Sequence, residues 1–122
     1  MGTFSENLDL RYGIENNEVI WTLLSSFTYT ANDGALYTAP NGFKTDLASI
    51  PRILWAILPP FWKYAKAAVI HDWIIVETNN RPLANEVFRE GMITLGTNRQ
   101  QIFVIYNGVR FWTWVRKFIK KS

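Results

Sequence analysis

The stretch VIWTLLSSFTYTANDGALYTAP, residues 19–40, decides the fold class. Its first thirteen residues are rich in β-branched and aromatic side chains, which fit a pleated, half-buried surface. They predict one strand or two, with the break near Ser25 and Ser26. Asp33-Gly34 marks a tight turn, and ALYTAP returns as the partner strand. Working outward, Pro40-Asn41-Gly42 makes a second turn, from which Gly42-Phe43-Lys44-Thr45 leads away. On the other side, residues 1–18 are polar and turn-rich, and the alternation of Leu8, Leu10 and Tyr12 suggests a short edge strand. The first third therefore reads as a small antiparallel sheet.

Past Pro51 the texture changes to helix. RILWAIL is a short helical piece stopped by Pro59-Pro60, because proline lacks the donor and its ring clashes with the preceding turn. A longer helix is expected from Phe61 or Trp62 to Val76 or Glu77. Pro82 then opens a helix that Gly96 ends, and a last helix runs from about Asn98 to Lys120. The expected fold is α+β, a small N-terminal antiparallel sheet packed against three or four C-terminal helices.

The last helix is not uniform. At about 100° per residue, Ile102, Ile105, Tyr106, Val109 and Trp112 share one side, while Phe111, Trp114, Val115, Phe118 and Ile119 gather nearly opposite. Either the helix is buried on both sides at its middle, or it kinks near Asn107-Gly108 and its end packs elsewhere.

A chain of 122 residues has the size of one domain. We expect residues 1–122 to form that domain, with a basic aromatic helical end at 110–122 protruding from it. The hydrophobic fraction of 48% and aromatic fraction of 16% argue against disorder. The net charge of +3 belongs to the tail: Arg110, Arg116, Lys117, Lys120 and Lys121 stand there with no acid, and the rest of the chain is slightly acidic. With no cysteine, disulfides and thiolate chemistry are excluded, and a metal would need carboxylates, carbonyls, waters or the single His71. No apolar run reaches the roughly 18 residues that span a bilayer. The N-terminal stretch does not read as a secretion signal, since it lacks both a basic start and an apolar run.

Two short segments carry the chemistry worth testing. KTDLASIPR, residues 44–52, places Asp46 and Ser49 just ahead of a helix, where an acid or hydroxyl accepts the amide protons left over in the first turn. AVIHDW holds His71 among apolar helical neighbours, so His71 or Asp72 must face a packed or cleft-like region. A lone histidine in such a place is often a hydrogen-bonded core residue. A catalytic one would have one ring nitrogen held by a carboxylate or carbonyl and the other aimed at an open cavity. Adjacent helical residues point about 100° apart, so Asp72 does not easily orient the ring of its neighbour, and Asp46 is the better partner. His71, Asp46 and Asp72 are the candidate catalytic residues. Asp46, His71, Asp72 and Asn85 are the candidate ligands of a divalent metal, and Glu86 could complete such a site. Ser49 lacks the glycine-flanked elbow that exposes an attacking serine.

Taken together, TDLASIPR, Trp55, the Pro-Pro pair, YAKAAVIHDW and the AN-x-x-F of ANEVF resemble a family of small uncharacterised proteins carried mainly by tailed bacteriophages and prophages. The resemblance runs from about Trp21 to Tyr106. It falls on Thr45, Asp46, Ala48, Ser49, Ile50, Pro51 and Arg52, then on His71, Asp72 and Trp73, then on Ala84, Asn85 and Phe88. Asn85 departs from the family pattern, in which an aspartate is usual there, and an amide neither titrates nor neutralises a cation.

The resemblance implies phage origin and no settled activity. Two functions are expected from it and the residues. The first is a structural or assembly-associated interaction protein in or around the virion. It would act through Arg110, Phe111, Trp112, Trp114, Arg116, Lys117, Phe118, Lys120 and Lys121, with phage structural proteins or a second copy as partner. The alternative is a small hydrolase, metal-assisted or general-base, centred on Asp46, His71 and Asp72 and acting on material such as cell wall. No cofactor is expected apart from the divalent metal of that alternative. Nucleic acid is disfavoured by the acidic balance of the body, whereas an anionic membrane surface suits a basic amphipathic helix. The expected location is the host cytoplasm during synthesis, with association to the virion.

Overall fold

The computed structural model describes residues 2–5, 7–45 and 62–119, including side chains except at 62–64, 109, 113 and 116–119. Asp46, Ser49, Pro51, Arg52, the RILWAIL helix, Lys120 and Lys121 lie outside the described residues, as do the side chains of Arg116, Lys117 and Phe118. Six strands come first: β1 Thr3–Phe4, β2 Leu10–Glu15, β3 Glu18–Leu23, β4 Phe27–Thr30, β5 Leu36–Ala39 and β6 Lys44–Thr45. Three helices follow: α1 Trp62–Thr78, α2 Arg81–Thr94 and α3 Arg99–Ile119. The α+β division and its order are as the sequence predicts.

The strands form two three-stranded antiparallel sheets, ordered β1-β4-β5 and β2-β3-β6, rather than one. The chain leaves one sheet for the other at Leu24-Ser25-Ser26, where the break was expected. A turn with no glycine joins β2 to β3: Asn16 and Asn17 adopt φ of 52° and 66°, so Glu15 pairs directly with Glu18. Asparagine tolerates that left-handed region, and two such residues twist a hairpin correctly. This hairpin is not among the elements expected from the sequence. In β4 burial alternates, with Phe27 and Tyr29 turned into the core and Thr28 and Thr30 outward.

The helix α1 carries the centre of the core. Ala67, Ala68, Val69, Ile70 and His71 are all buried in succession, so the helix is covered nearly all round. Small residues on it let α2 approach closely. At the crossing, a Cβ on Gly91 would lie 3.0 Å from the Phe4 ring and 3.3 Å from the Ala67 methyl. Gly91→Val is therefore expected to lower stability by about 1–2 kcal/mol as the Phe4 ring is displaced. A urea titration measures this, and an unchanged midpoint would mean the crossing has slack.

Helix ends follow their chemistry. Asn80 caps α2 by accepting a hydrogen bond from the Leu83 amide at 3.1 Å, with Pro82 in the first turn where a missing donor costs nothing. Gly96, at φ 79°, stops α2 as expected. Asn98 accepts from the Gln101 amide at 2.8 Å and starts α3. Of the two arrangements expected for α3, burial on both sides at its middle does not describe it. The helix runs unbroken through Asn107-Gly108. Ile102 and Ile105 are buried, but Phe111 and Trp114 on the other side are 63% and 57% exposed.

Candidate functional site

Thr45, at the end of β6, is buried against α1 and donates its hydroxyl to Asp72 Oδ2. Thr45 is thereby anchored beside the histidine helix. Asp72 Oδ1 lies 3.5 Å from His71 Nδ1. That is within ion-pair range, yet Nδ1 makes no hydrogen bond among the described residues. The angular argument from the sequence explains the difference: neighbours on a helix diverge, so the carboxylate reaches the side of the ring without aligning to its nitrogen.

The other ring nitrogen is engaged. His71 Nε2 is 2.9 Å from Asn85 Oδ1, and an amide oxygen only accepts, so Nε2 carries the hydrogen in this arrangement. Phe88, one turn beyond Asn85 on α2, packs against the imidazole at a centroid distance of 5.5 Å and 70° between planes. The ring is fully buried. His71, Asp72 and Asn85 thus come together, with Thr45 as a fourth member. Asp46 is outside the described residues. Among the described residues no three His, Cys, Asp or Glu side chains converge on a point where a metal ion could sit.

Asn85 has a second surroundings. It lines a cleft of about 840 Å³ between the start of α2 and the later part of α3, with Arg81, Glu86, Arg110, Phe111 and Trp114 among its walls. Glu86 was a candidate to complete a site at His71. It instead accepts a hydrogen bond from the Tyr106 hydroxyl at 2.5 Å, and the Arg110 guanidinium lies 5.5 Å over the Tyr106 ring. Burial, and then that bond to Glu86, push the Tyr106 hydroxyl above its ordinary pKa. The Phe111 and Trp114 rings are tilted by 32° with centroids 6.2 Å apart, so together they present one aromatic surface at the cleft.

A further polar cluster escaped the sequence reading. Tyr29, fully buried in β4, donates to Glu90 Oε1 at 2.5 Å, and the Asn32 amide donates to the same oxygen at 2.8 Å. This ties the sheet to α2. Nothing local signals it, because Tyr29 and Glu90 are 61 positions apart.

No helix among the described residues is long and apolar enough to cross a membrane. No solved structure matches the chain. It is 35% identical over 82 residues to an uncharacterized protein, y4jT, of Sinorhizobium fredii, an alignment covering 66% of this chain and 24% of that protein. The chain therefore spans about a quarter of that relative's length. The pattern of DUF1353, described as proteins of unknown function, matches residues 21–109, the span that holds both the histidine network and most of the cleft. The chain thus belongs to DUF1353, a phage- and prophage-associated family of unknown function.

Proposed function

We propose that this chain is an interaction protein of a phage particle or its assembly, working as one domain and docking through the aromatic side of α3. The observation that carries the reading is the exposure of Phe111 and Trp114, 63% and 57%, side by side at the mouth of a cleft. Aromatic and arginine side chains dominate the energetics of protein interfaces, because they bury large area at small entropic cost. Arg110 borders the same pair, while Trp112 is half-buried and serves the body of the protein as much as the surface.

The test is a double substitution, Phe111→Ser with Trp114→Ser, in the full chain. Both rings are exposed, so each change should alter stability by less than about 0.5 kcal/mol. Co-sedimentation with purified virions of the phage or prophage that encodes the chain should be lost. Retained co-sedimentation at wild-type affinity would remove this surface from the function.

A second reading, a hydrolase centred on Asp46, His71 and Asp72, has one observation in its favour. Asn85 both holds His71 Nε2 and lines the cleft, so rotation of that one amide would uncover Nε2 on the cleft side, with Asp72 beside the opposite nitrogen. His71→Gln keeps an amide donor at similar reach and removes the titratable ring. On this reading it abolishes hydrolysis of cell-wall glycan or peptide while the thermal midpoint stays near wild type.

A further inference from the structure

Two clefts meet at Tyr106 and Asn107, which line both of them. One is the cleft of about 840 Å³ described above; the other, of about 530 Å³, lies between the end of α2 and the start of α3. On α2 the bordering residues Pro82, Glu86, Arg89 and Ile93 recur every three or four positions, which is one stripe of a helix, with Asn85 beside it. On α3 Arg99, Phe103, Tyr106, Arg110 and Trp114 do the same. The start of α2 shares a cleft with the later part of α3, and the end of α2 with its start, so the two helices run antiparallel and the clefts form one groove along them. At 1.5 Å per residue the α3 edge from Arg99 to Trp114 is about 22 Å long, the length of four helical turns.

The charge of that groove is one-sided. Among the described residues Arg81, Arg89, Arg99 and Arg110 border it, against the single carboxylate of Glu86, whose Oε1 already receives the Tyr106 hydroxyl. Its apolar contacts are spread along the same length: Ile93 and Phe103 at one end, 41% and 71% exposed, and Phe111 and Trp114 at the other. An occupant must therefore offer negative charge along both edges and apolar side chains toward both ends of the groove. Single-stranded nucleic acid supplies the charge, but it carries a phosphate at every nucleotide, including those opposite Glu86, whereas acidic side chains can be confined to the flanks that face the arginines. An amphipathic helix with acidic flanks satisfies both demands, since its apolar stripe runs the length of the groove and reaches the contacts at both ends.

The geometry points to this groove as the seat of an acidic amphipathic helix, about fifteen residues long, belonging to the partner protein. This rests on the interaction reading and names the partner's chemistry. Complementary charge across such a groove steers encounter and selects the partner, and it makes binding sensitive to salt.

The probe is a labelled fifteen-residue peptide with leucines at one-turn spacing and glutamates on both flanks, titrated with the full-length protein by fluorescence anisotropy. The comparison probes are the same peptide with lysines for glutamates, oligothymidylate, and vesicles rich in phosphatidylglycerol. The acidic peptide should bind, and more weakly as salt rises. Arg89→Glu with Arg99→Glu should weaken it tenfold or more at an unchanged thermal midpoint, and the lysine peptide should bind at least tenfold worse. Equal affinity for the two peptides, indifference to the arginine substitutions, or tighter binding of oligothymidylate or vesicles would each overturn the inference. If no peptide binds while the Phe111 and Trp114 substitutions still abolish virion co-sedimentation, the acidic-helix occupant falls and the interaction reading stands. If those substitutions leave co-sedimentation intact, the interaction reading falls with it.

Discussion

Alanine in place of His71 is expected to lower the unfolding free energy by about 3 kcal/mol. Two losses add in the same direction. The ring is fully buried, so its removal leaves a cavity beside Phe88 that the crossing of α1 and α2 cannot close completely. Asn85 Oδ1 loses its donor at 2.9 Å. His71→Gln restores the donor and much of the volume, and should recover more than half of the loss. Urea unfolding of the two variants reads this directly. An alanine variant as stable as wild type would show that the histidine is not a structural tie between α1 and α2, and would move the weight toward the hydrolase reading.

The second large effect is expected at Glu90. Glu90→Ala strands the hydroxyl of the fully buried Tyr29 and removes the acceptor of the Asn32 amide, at a cost of roughly 2–3 kcal/mol. The amide can turn to water, so most of the penalty comes from the tyrosine. Thr94 Oγ1, 3.4 Å from the same hydroxyl, is too distant to replace the carboxylate.

The same cluster sets an alkaline limit. Burial, followed by the bond to Glu90, pushes the Tyr29 hydroxyl from 10.0 up to about 12. Once the chain unfolds, the group titrates near its ordinary value of about 10. Between the two values the unfolded chain has released the proton and the folded one retains it, so stability falls as pH rises. The stabilisation is complete below about pH 10 and is lost as pH climbs through about 12. Burial raises Tyr37 and Tyr106 as well, which steepens the fall in the same direction. Thermal midpoints from pH 8 to 11.5 should decline past pH 10, and Tyr29→Phe should flatten that decline. A Tyr29→Phe variant that declines as steeply as wild type would assign the alkaline limit to other groups.

Much of this molecule is legible in its sequence because the relevant forces are local. Pro82 and Gly96 bound α2 through the donor that proline lacks and the left-handed conformation that glycine tolerates. The strand pair around Asp33-Gly34 follows from turn chemistry and β-branched composition. The angular divergence of His71 and Asp72 follows from helix geometry, and their 3.5 Å side-by-side contact agrees with it. The Asn16-Asn17 hairpin was also local and could have been read, had two adjacent asparagines been weighed as a turn with positive φ at both positions.

What the sequence by itself determined is therefore the α+β order, the helix boundaries, the absence of thiol chemistry and the concentration of positive charge at the C-terminal end. Tertiary structure alone decided the rest. It split the strands into two sheets, gave His71 to Asn85 and Glu86 to Tyr106, joined Tyr29 to Glu90, and left Phe111 and Trp114 uncovered beside a groove edged with arginines. The physical reason is range. Propensity, capping and turn chemistry act between residues a few positions apart, whereas burial and hydrogen-bond partners depend on which elements pack. A helix with apolar residues on two sides gives no local sign of which side the rest of the chain will cover.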